Sequence, residues 1–209
     1  GNYTNNEPME KKYYIDSRLR GNDKTNITFF GTPDFVIPIL DSILQMTGSD
    51  LVSVVTNPDR PVGRKQILTP TPVKNWAQEH KIPIYTPSSL SNFQLPNSNF
   101  DLGILAAYGK IIPQSVIDLF PKGILVIHPS LLPKYRGASP VQAAILNGDQ
   151  ETGVTIFKMD EKIDHGPIIY QSKSIITVQD TTESLTKKLF QEAADVLPLV
   201  IENYLEGKV

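Results

Sequence analysis

The stretch GILVIHPSLLPKYRGASPVQ, residues 123–142, contains the clearest strand–turn–helix unit of the chain. Its apolar start predicts a strand that ends at His128, and the small and rigid residues after it predict a tight turn. A helix is expected to begin at about Ser139. A second unusual segment, MDEKIDHG (159–166), follows and carries Asp164 in a loop.

The rest of the chain alternates apolar strands with helices from Ile27 onward. The expected strands are 27–32, 51–56, 101–109, 123–128, 153–159 and 166–178, the last being a strand or a bent hairpin arm. The expected helices are 33–46, 71–81, and one from about Asp180, with Glu183 as its capping-box partner, to about Glu206. This alternation predicts an α/β fold with a doubly wound, mostly parallel sheet and helices on both faces.

In such a sheet, ligands bind beyond the carboxyl ends of the strands. The segments expected at that edge are 31–35, 57–66, 106–113 and 128–133, so the sequence predicts one site built from all four. There, His128 could donate a hydrogen bond to a developing oxyanion, and Asp164 could take a proton from an attacking amine. The alternatives are a structural histidine at a strand end and an aspartate that bonds its own backbone in a turn.

Composition narrows the class of protein. A chain of 209 residues is expected to form one domain, here 27–209, preceded by a polar arm or leader at 1–26 with the composition of a disordered segment. The chain has no cysteine, which excludes disulfides and thiolate metal ligands and fits a cytoplasmic protein. No apolar run approaches the roughly 18–20 residues of a membrane span, and no dinucleotide or P-loop signature and no metal site is predicted.

A long basic loop, NPDRPVGRKQILTPTP (57–72), follows the second expected strand. Arg60, Arg64 and Lys65 project from a segment stiffened by several prolines, and their charge would suit a phosphate-rich partner. A solvated basic loop is the alternative. Because the net charge is only −2, any contact with nucleic acid has to come from a local patch of this kind.

Several motifs in order, over about 27–209, resemble one family. They are FFGTPDF (29–35), NPDRPVGR (57–64), PTPVK (70–74), AAYGKIIP (106–113), HPSLLPKYRGASPVQ (128–142) and NGDQETGVTIFKMDEKIDHGPII (147–169). The chain resembles the N-terminal catalytic domain of the methionyl-tRNA formyltransferases, within the superfamily that uses 10-formyltetrahydrofolate. The D-R-P-x-G-R loop indicates the tRNA-directed branch.

The resemblance implies a role for each matching residue. His128 corresponds to the histidine that stabilises the oxyanion, and Asp164 to the aspartate that assists proton removal and positions the histidine. The folate-binding positions that it nominates are Ala107, Tyr108, Gly109, Ser130, Leu131 and Asp160. The basic loop corresponds to the one that approaches the tRNA acceptor end, which nominates Arg60, Arg64 and Lys65.

The chain departs from the family pattern in two ways. An asparagine of the family falls two residues before the histidine, where this chain has Val126, and no asparagine stands elsewhere in 123–142. Valine cannot hydrogen-bond an oxyanion, and loss of one such donor typically costs roughly 10²–10³ in rate. The family also carries a C-terminal β-barrel domain that helps to hold tRNA. We expect this chain to lack that domain, either as a fragment or as a shortened protein, and therefore to bind tRNA weakly.

Several functions therefore remain open from the sequence. The first is formyl transfer from 10-formyltetrahydrofolate to the methionine amino group on initiator tRNA, by a protein expected to be monomeric, without a metal and without a membrane. The second keeps the reaction but uses an amino sugar on a nucleotide as acceptor. The third is a folate- or tRNA-binding homologue with little catalysis, and a formyltetrahydrofolate hydrolase is a lesser alternative.

Overall fold

The structure is a computed structural model that describes residues 24–91, 93 and 99–209. Its strands are β1 (Thr25–Gly31), β2 (Ser49–Val55), β3 (Arg60–Val62), β4 (Ile67–Thr69), β5 (Ile84–Tyr85), β6 (Leu102–Ala106), β7 (Ile124–His128), β8 (Glu151–Lys158) and β9 (Ile168–Ile175). Its α-helices are α1 (Ile37–Leu44), α2 (Pro72–Glu79), α3 (Gln114–Ile117), α4 (Pro140–Leu146) and α5 (Thr182–Leu205).

Seven strands form one sheet in the order β5-β2-β1-β6-β7-β8-β9. The pairs from β5 to β7 are parallel, whereas β8 pairs antiparallel with both β7 and β9. The predicted doubly wound, mostly parallel sheet is confirmed. The parallel half brings the carboxyl ends of β1, β6 and β7 to one edge, where the functional residues were expected.

Apolar cores cover both faces of the sheet, because adjacent residues of a strand point to opposite sides. Phe29 of β1 faces the larger core, to which α1, α2, α4 and α5 contribute buried side chains. Phe30 faces the smaller core, which contains Val116 of α3 together with apolar residues from the connections around it. Each of these phenylalanines is fully buried, which typically stabilises a fold by about 1.5–3 kcal/mol. Helices therefore lie on both faces, as predicted, but most of them lie on one.

Most element boundaries shift by a few residues from the sequence predictions, and three differences concern how an element begins. Strand β1 starts at Thr25, which is buried and pairs with Ser49, so the domain begins inside the segment assigned to the arm; residues 1–23 of that arm lie outside the described part. The predicted helix 33–46 is a 3₁₀ turn, Asp34–Val36, followed by the shorter α1. The capping box of α5 joins Thr181 to Ser184, so the prediction of Asp180 and Glu183 was wrong.

The sequence also missed four short elements. Strands β3 and β4 pair as an antiparallel hairpin inside the predicted basic loop, β5 forms the edge of the sheet, and α3 fills the connection before β7. Each is two to four residues long, and such lengths carry too few periodic positions to be recognised. Among the helices that the structure describes, none combines the length and apolar character needed to cross a bilayer.

Candidate functional site

A cavity of about 720 Å³ opens at the carboxyl edge of β1, β6 and β7. Three of the four segments predicted at that edge contribute to its wall, while 57–66 does not. The remaining wall comes from the ends of β6, β7 and β8, the loop after β8, the start of α4 and the segment that leads into it, and the first half of α5. The lining residues are 33, 35, 105, 107–112, 126–129, 137–142, 157, 159–164, 182, 186 and 190.

His128 is the last residue of β7 and is 6% exposed at the cavity wall. Its Nε2 lies 2.9 Å from the carbonyl oxygen of Tyr135, so the ring donates a proton there. In the neutral ring, Nδ1 would then be bare; it becomes a second donor only in the imidazolium form. Nδ1 faces Asp164, with 3.7 Å between Nδ1 and Oδ2.

Asp164 lies in the loop between β8 and β9, and the fold brings it beside His128 as predicted. Its Oδ2 accepts a hydrogen bond of 2.7 Å from the backbone N–H of Gly137. The distance to His128 Nδ1 is an ion-pair distance rather than a hydrogen bond, so the ring can direct an Nδ1 proton to a ligand instead. The backbone of Asp164 is left-handed, with φ of 48°, a conformation that a non-glycine residue adopts at some cost.

Val126 points to the same face of β7 as His128, because the two are separated by one residue. It is 5% exposed and packs with Leu132 and Phe157 in a small apolar cluster at the cavity wall. A valine side chain offers neither a donor nor an acceptor. The wall beside His128 is therefore apolar at Val126, where the family resemblance leads to the expectation of an asparagine.

The segment Ala107, Tyr108 and Gly109, which follows β6, lines the cavity. Ala107 has φ of 47°, so the chain turns sharply where the strand ends. The Asn57 amide nitrogen donates to the Tyr108 carbonyl at 3.0 Å and to the Thr32 hydroxyl at 2.9 Å. Segment 57–66 thus contributes to the edge by fixing this turn, although it does not reach the cavity.

The other nominated folate-binding residues fall in two places. Asp160 lines the cavity, but its carboxylate is occupied by the backbone N–H of Lys162 and by His165, and the His165 hydrogen bond is the main reason that its pKa is lowered. Ser130 is fully buried, and its hydroxyl donates to the carbonyl of Lys134 at 2.6 Å. Neither Ser130 nor Leu131 is part of the cavity wall.

Arg60, Arg64 and Lys65 all lie on the exposed hairpin β3–β4 and its turn, separate from the cavity wall. An ion pair of 2.7 Å between Asp59 and Lys74 fixes the start of the hairpin to α2. Lys110, on the cavity wall, has a lowered pKa because of burial and, secondly, because of the positive charge of Arg60. Arg60 therefore lies close enough to the cavity wall to act electrostatically on Lys110.

Sequence reasoning missed several contributors to this site. Tyr135 and Gly137 hold His128 and Asp164 through backbone atoms, and backbone contacts leave no signature in residue type. Thr182, Thr186 and Phe190 of α5 reach the wall only because the last helix packs back across the sheet. Within the described residues, no group of three or more potential ligands is arranged to hold a metal ion.

A sequence profile of the family described as "Formyl transferase" matches residues 25–201. The chain belongs to the formyl transferase family. The matched range covers every strand of the sheet and most of α5, so the whole cavity lies inside the formyl transferase domain.

The formyl transferase chain is also similar to proteins named methionyl-tRNA formyltransferase. It is 44% identical to the protein from Listeria innocua over 189 residues and 42% identical to that from Staphylococcus aureus over 187, in both cases over 88% of this chain. These alignments cover 60% of each relative. The chain thus spans about three fifths of the length of the relatives it matches.

Solved structures show the same formyl transferase fold at low sequence identity. A phosphoribosylglycinamide formyltransferase from Bacillus halodurans superposes with a TM-score of 0.69 at 24% identity, covering 87% of this chain and 95% of that one. One from Anaplasma phagocytophilum gives 0.72 at 21% identity, covering 90% and 89%. At this identity the likeness concerns the fold alone.

Tyr108 offers a test of the packing beneath the cavity. Its hydroxyl is buried and has no hydrogen-bond partner among the residues that the structure describes, and burial raises its pKa from 10.0 to about 12. The neutral form is favoured in the folded state, so stability from this group is present below pH 10 and is lost between pH 10 and 12. Tyr108→Phe should not lower the free energy of unfolding at pH 7 and should remove this alkaline loss, which amounts to up to about 1.4 kcal/mol per pH unit.

Urea unfolding at pH 7, 10 and 11.5 measures both effects. Tyr204→Phe is the matched control, because the Tyr204 hydroxyl donates to the Lys122 carbonyl at 2.6 Å and its loss should cost about 1 kcal/mol at pH 7. If Tyr108→Phe lowers the free energy of unfolding at pH 7 by a similar amount, the Tyr108 hydroxyl does have a hydrogen-bond partner and the prediction is wrong.

Proposed function

We propose that this domain transfers the formyl group of 10-formyltetrahydrofolate to the amino group of methionine on initiator tRNA. The observation that carries the proposal is the pair His128 and Asp164, which face each other across 3.7 Å at the wall of the large cavity in a chain of this family. The printed names of relatives at 42–44% identity support methionyl-tRNA as the acceptor. We propose a monomer that acts in the cytoplasm.

His128 would stabilise negative charge on the formyl oxygen. As the amine nitrogen bonds to the formyl carbon, that oxygen gains charge, and the imidazolium Nδ1–H can donate to it because Nε2 is already committed to the Tyr135 carbonyl. The burial of the ring favours this interaction, since a hydrogen bond to a charged group is stronger where water is excluded.

Asp164 would take the proton that the attacking amine loses. The hydrogen bond from Gly137 to Oδ2 fixes the carboxylate, which faces His128 Nδ1. The C–N bond to folate N10 then breaks, and the proton that Asp164 took from the amine passes to N10, directly or through water, as the folate leaves. A positioned general base of this kind typically contributes about 10²–10⁴ in rate.

The cavity fits a folate by size and by lining. Its volume of about 720 Å³ falls within the range of roughly 300–1,000 Å³ typical of sites for small organic ligands. Apolar side chains such as Leu105 and Phe157 form much of the wall. Backbone groups at Ala107, Tyr108 and Gly109, where the chain turns with positive φ, are our candidates for contacts to the pterin ring, together with Asp160 and the rest of 159–164.

The charges of the hairpin β3–β4 favour tRNA over an amino-sugar nucleotide as the acceptor. Arg60, Arg64 and Lys65 are exposed and none of them lines the cavity, so they would meet a partner that extends beyond the reacting amine. Phosphates of an acceptor end match this charge. An amino-sugar nucleotide small enough to sit in the cavity would leave these charges unused.

A transfer assay tests the proposal directly. The protein is incubated with 10-formyltetrahydrofolate and either charged initiator tRNA or amino-sugar nucleotides, and the formylated product is measured. We expect formylmethionyl-tRNA, with kcat/KM reduced by at least about 10² in Asp164→Asn and about 10²–10³ in His128→Ala. If only an amino sugar is formylated, the proposal of methionyl-tRNA as acceptor is wrong. If calorimetry detects folate binding but no acceptor is formylated, the protein is a folate-binding homologue rather than a transferase.

Val126 defines a second prediction. An asparagine at this position would place an amide donor on the same strand face as His128, so Val126→Asn should raise kcat by at least about tenfold. Val126→Ala is the control, because it enlarges the wall without adding a donor and should not raise kcat. An unchanged or lower kcat in a folded Val126→Asn protein would mean that this site does not use an amide from β7.

Neutralising the hairpin charges gives a third prediction. In Arg64→Ser/Lys65→Ser, the KM for tRNA should rise about three- to tenfold, whereas the KM for folate stays unchanged. The slope of log affinity against log salt should also become shallower by up to about 0.7–0.9 per lost phosphate contact. Lys173→Ser is the control, because Lys173 lies on β9, an edge strand of the large sheet that does not include the hairpin. It should change neither the KM for tRNA nor the salt dependence. Equal tRNA affinities would exclude the hairpin as a tRNA contact.

A further inference from the structure

The carbonyl that holds His128 belongs to a residue in an unusual conformation. Tyr135 has φ of 56°, in the left-handed region, and lies in the turn between β7 and α4. This conformation directs its carbonyl oxygen to His128 Nε2 at 2.9 Å. A left-handed conformation costs an L-residue roughly 1–2 kcal/mol, so it persists only where other contacts fix the residue.

The Tyr135 side chain supplies those contacts on the far side of the turn. Its hydroxyl donates to Asp149 Oδ2 at 2.8 Å and accepts a hydrogen bond of 2.8 Å from the Asn147 amide. Both partners lie in the short connection between α4 and β8. The ring thus spans from the turn that carries the carbonyl to the connection that leads into the next strand of the sheet.

Asp149 is itself fixed as a charged acceptor. Its Oδ2 also accepts from Lys134 Nζ at 2.7 Å, and its backbone N–H donates to the Ala144 carbonyl at 3.0 Å. Hydrogen bonds from Lys134 and then from Tyr135 lower the pKa of the Asp149 carboxyl. Neither Tyr135 nor Asp149 belongs to the cavity wall, so a direct contact with substrate does not explain this arrangement.

We propose that Tyr135 and Asp149 form a clamp that positions His128 for formyl transfer. The clamp holds the Tyr135 carbonyl on Nε2, which commits that nitrogen as a donor and leaves Nδ1 to face Asp164 and the formyl oxygen. Both are positioning residues, since they act through His128. The catalytic consequence rests on the proposed function, while the orientation of the ring does not.

Imidazole NMR tests the orientation without any substrate. The chain has three histidines, so nitrogen-15 labelling gives a small set of signals, and His128 is assigned by the loss of its signals in His128→Gln. In the parent protein we expect a proton resident on Nε2 that exchanges slowly with water. In Tyr135→Phe, which keeps the ring and loses the hydroxyl, that proton should exchange at least about tenfold faster.

Steady-state kinetics tests the catalytic consequence. Tyr135→Phe should lower kcat about three- to tenfold, because the lost hydrogen bonds act on His128 only through the backbone of the turn. The KM for folate should stay unchanged because the cavity wall is intact. Asp149→Asn keeps an acceptor for the hydroxyl but loses the charge, so its effect should be smaller and in the same direction. Glu151→Gln is the matched control, because it removes the charge of a nearby carboxylate that pairs with exposed Lys173, and it should match the parent in both measurements.

The outcomes separate the clamp from the proposed function. If Tyr135→Phe leaves both the His128 spectrum and kcat unchanged, the clamp is wrong. If kcat falls while the His128 spectrum is unchanged, the role is merely structural and the clamp is also overturned. If the parent protein formylates nothing, the proposed function fails, and the spectra still decide the orientation. If Tyr135→Phe does not fold, Asn147→Ala and Asp149→Asn test the clamp instead, because they change the hydrogen-bond partners of the Tyr135 hydroxyl.

Discussion

The parallel pairing of β1, β6 and β7 is the constraint on which the rest of the site depends. Gly31 pairs with Ala106 and Ala106 with Ile127, so the three strands end together and their following residues meet at one edge. A shift of one residue in the register of β7 would turn His128 away from the cavity and into the opposite core. The same buried apolar contacts that stabilise the sheet therefore set the geometry of the site.

Backbone strain is concentrated around this edge. Among the described residues, Ala107, Tyr135 and Asp164 combine positive φ values with a place in or directly behind the cavity wall. Each is fixed by its surroundings: Ala107 lies between buried Ala106 and Tyr108, Tyr135 is anchored through its hydroxyl, and Asp164 accepts from a backbone N–H. Strained residues that the rest of a structure holds in place are typical of functional sites.

At Val126, packing in the sheet and hydrogen bonding in the proposed reaction favour different side chains. For the sheet, a β-branched apolar residue between Leu105 and Phe157 is favourable, and the position is well packed. The same valine side chain has no donor with which to hydrogen-bond an oxyanion. Structures only 21–24% identical to this chain retain its fold, because the fold needs the apolar pattern rather than particular side chains. The residues that maintain the fold are thus not the same as those proposed to carry the chemistry.

The sequence by itself was enough to predict the sheet and the edge of the sheet at which the site lies. Apolar periodicity predicted most of the strands and the last helix, and the ends of parallel strands predicted the shared edge that holds His128 and Ala107. Only the tertiary structure decided the 3.7 Å approach of Asp164, the burial of Ser130 away from the cavity, and the clamp on Tyr135. These depend on backbone carbonyls, backbone N–H groups and turn conformations. Residue type constrains such groups weakly, because nearly every residue carries the same donor and acceptor on its main chain.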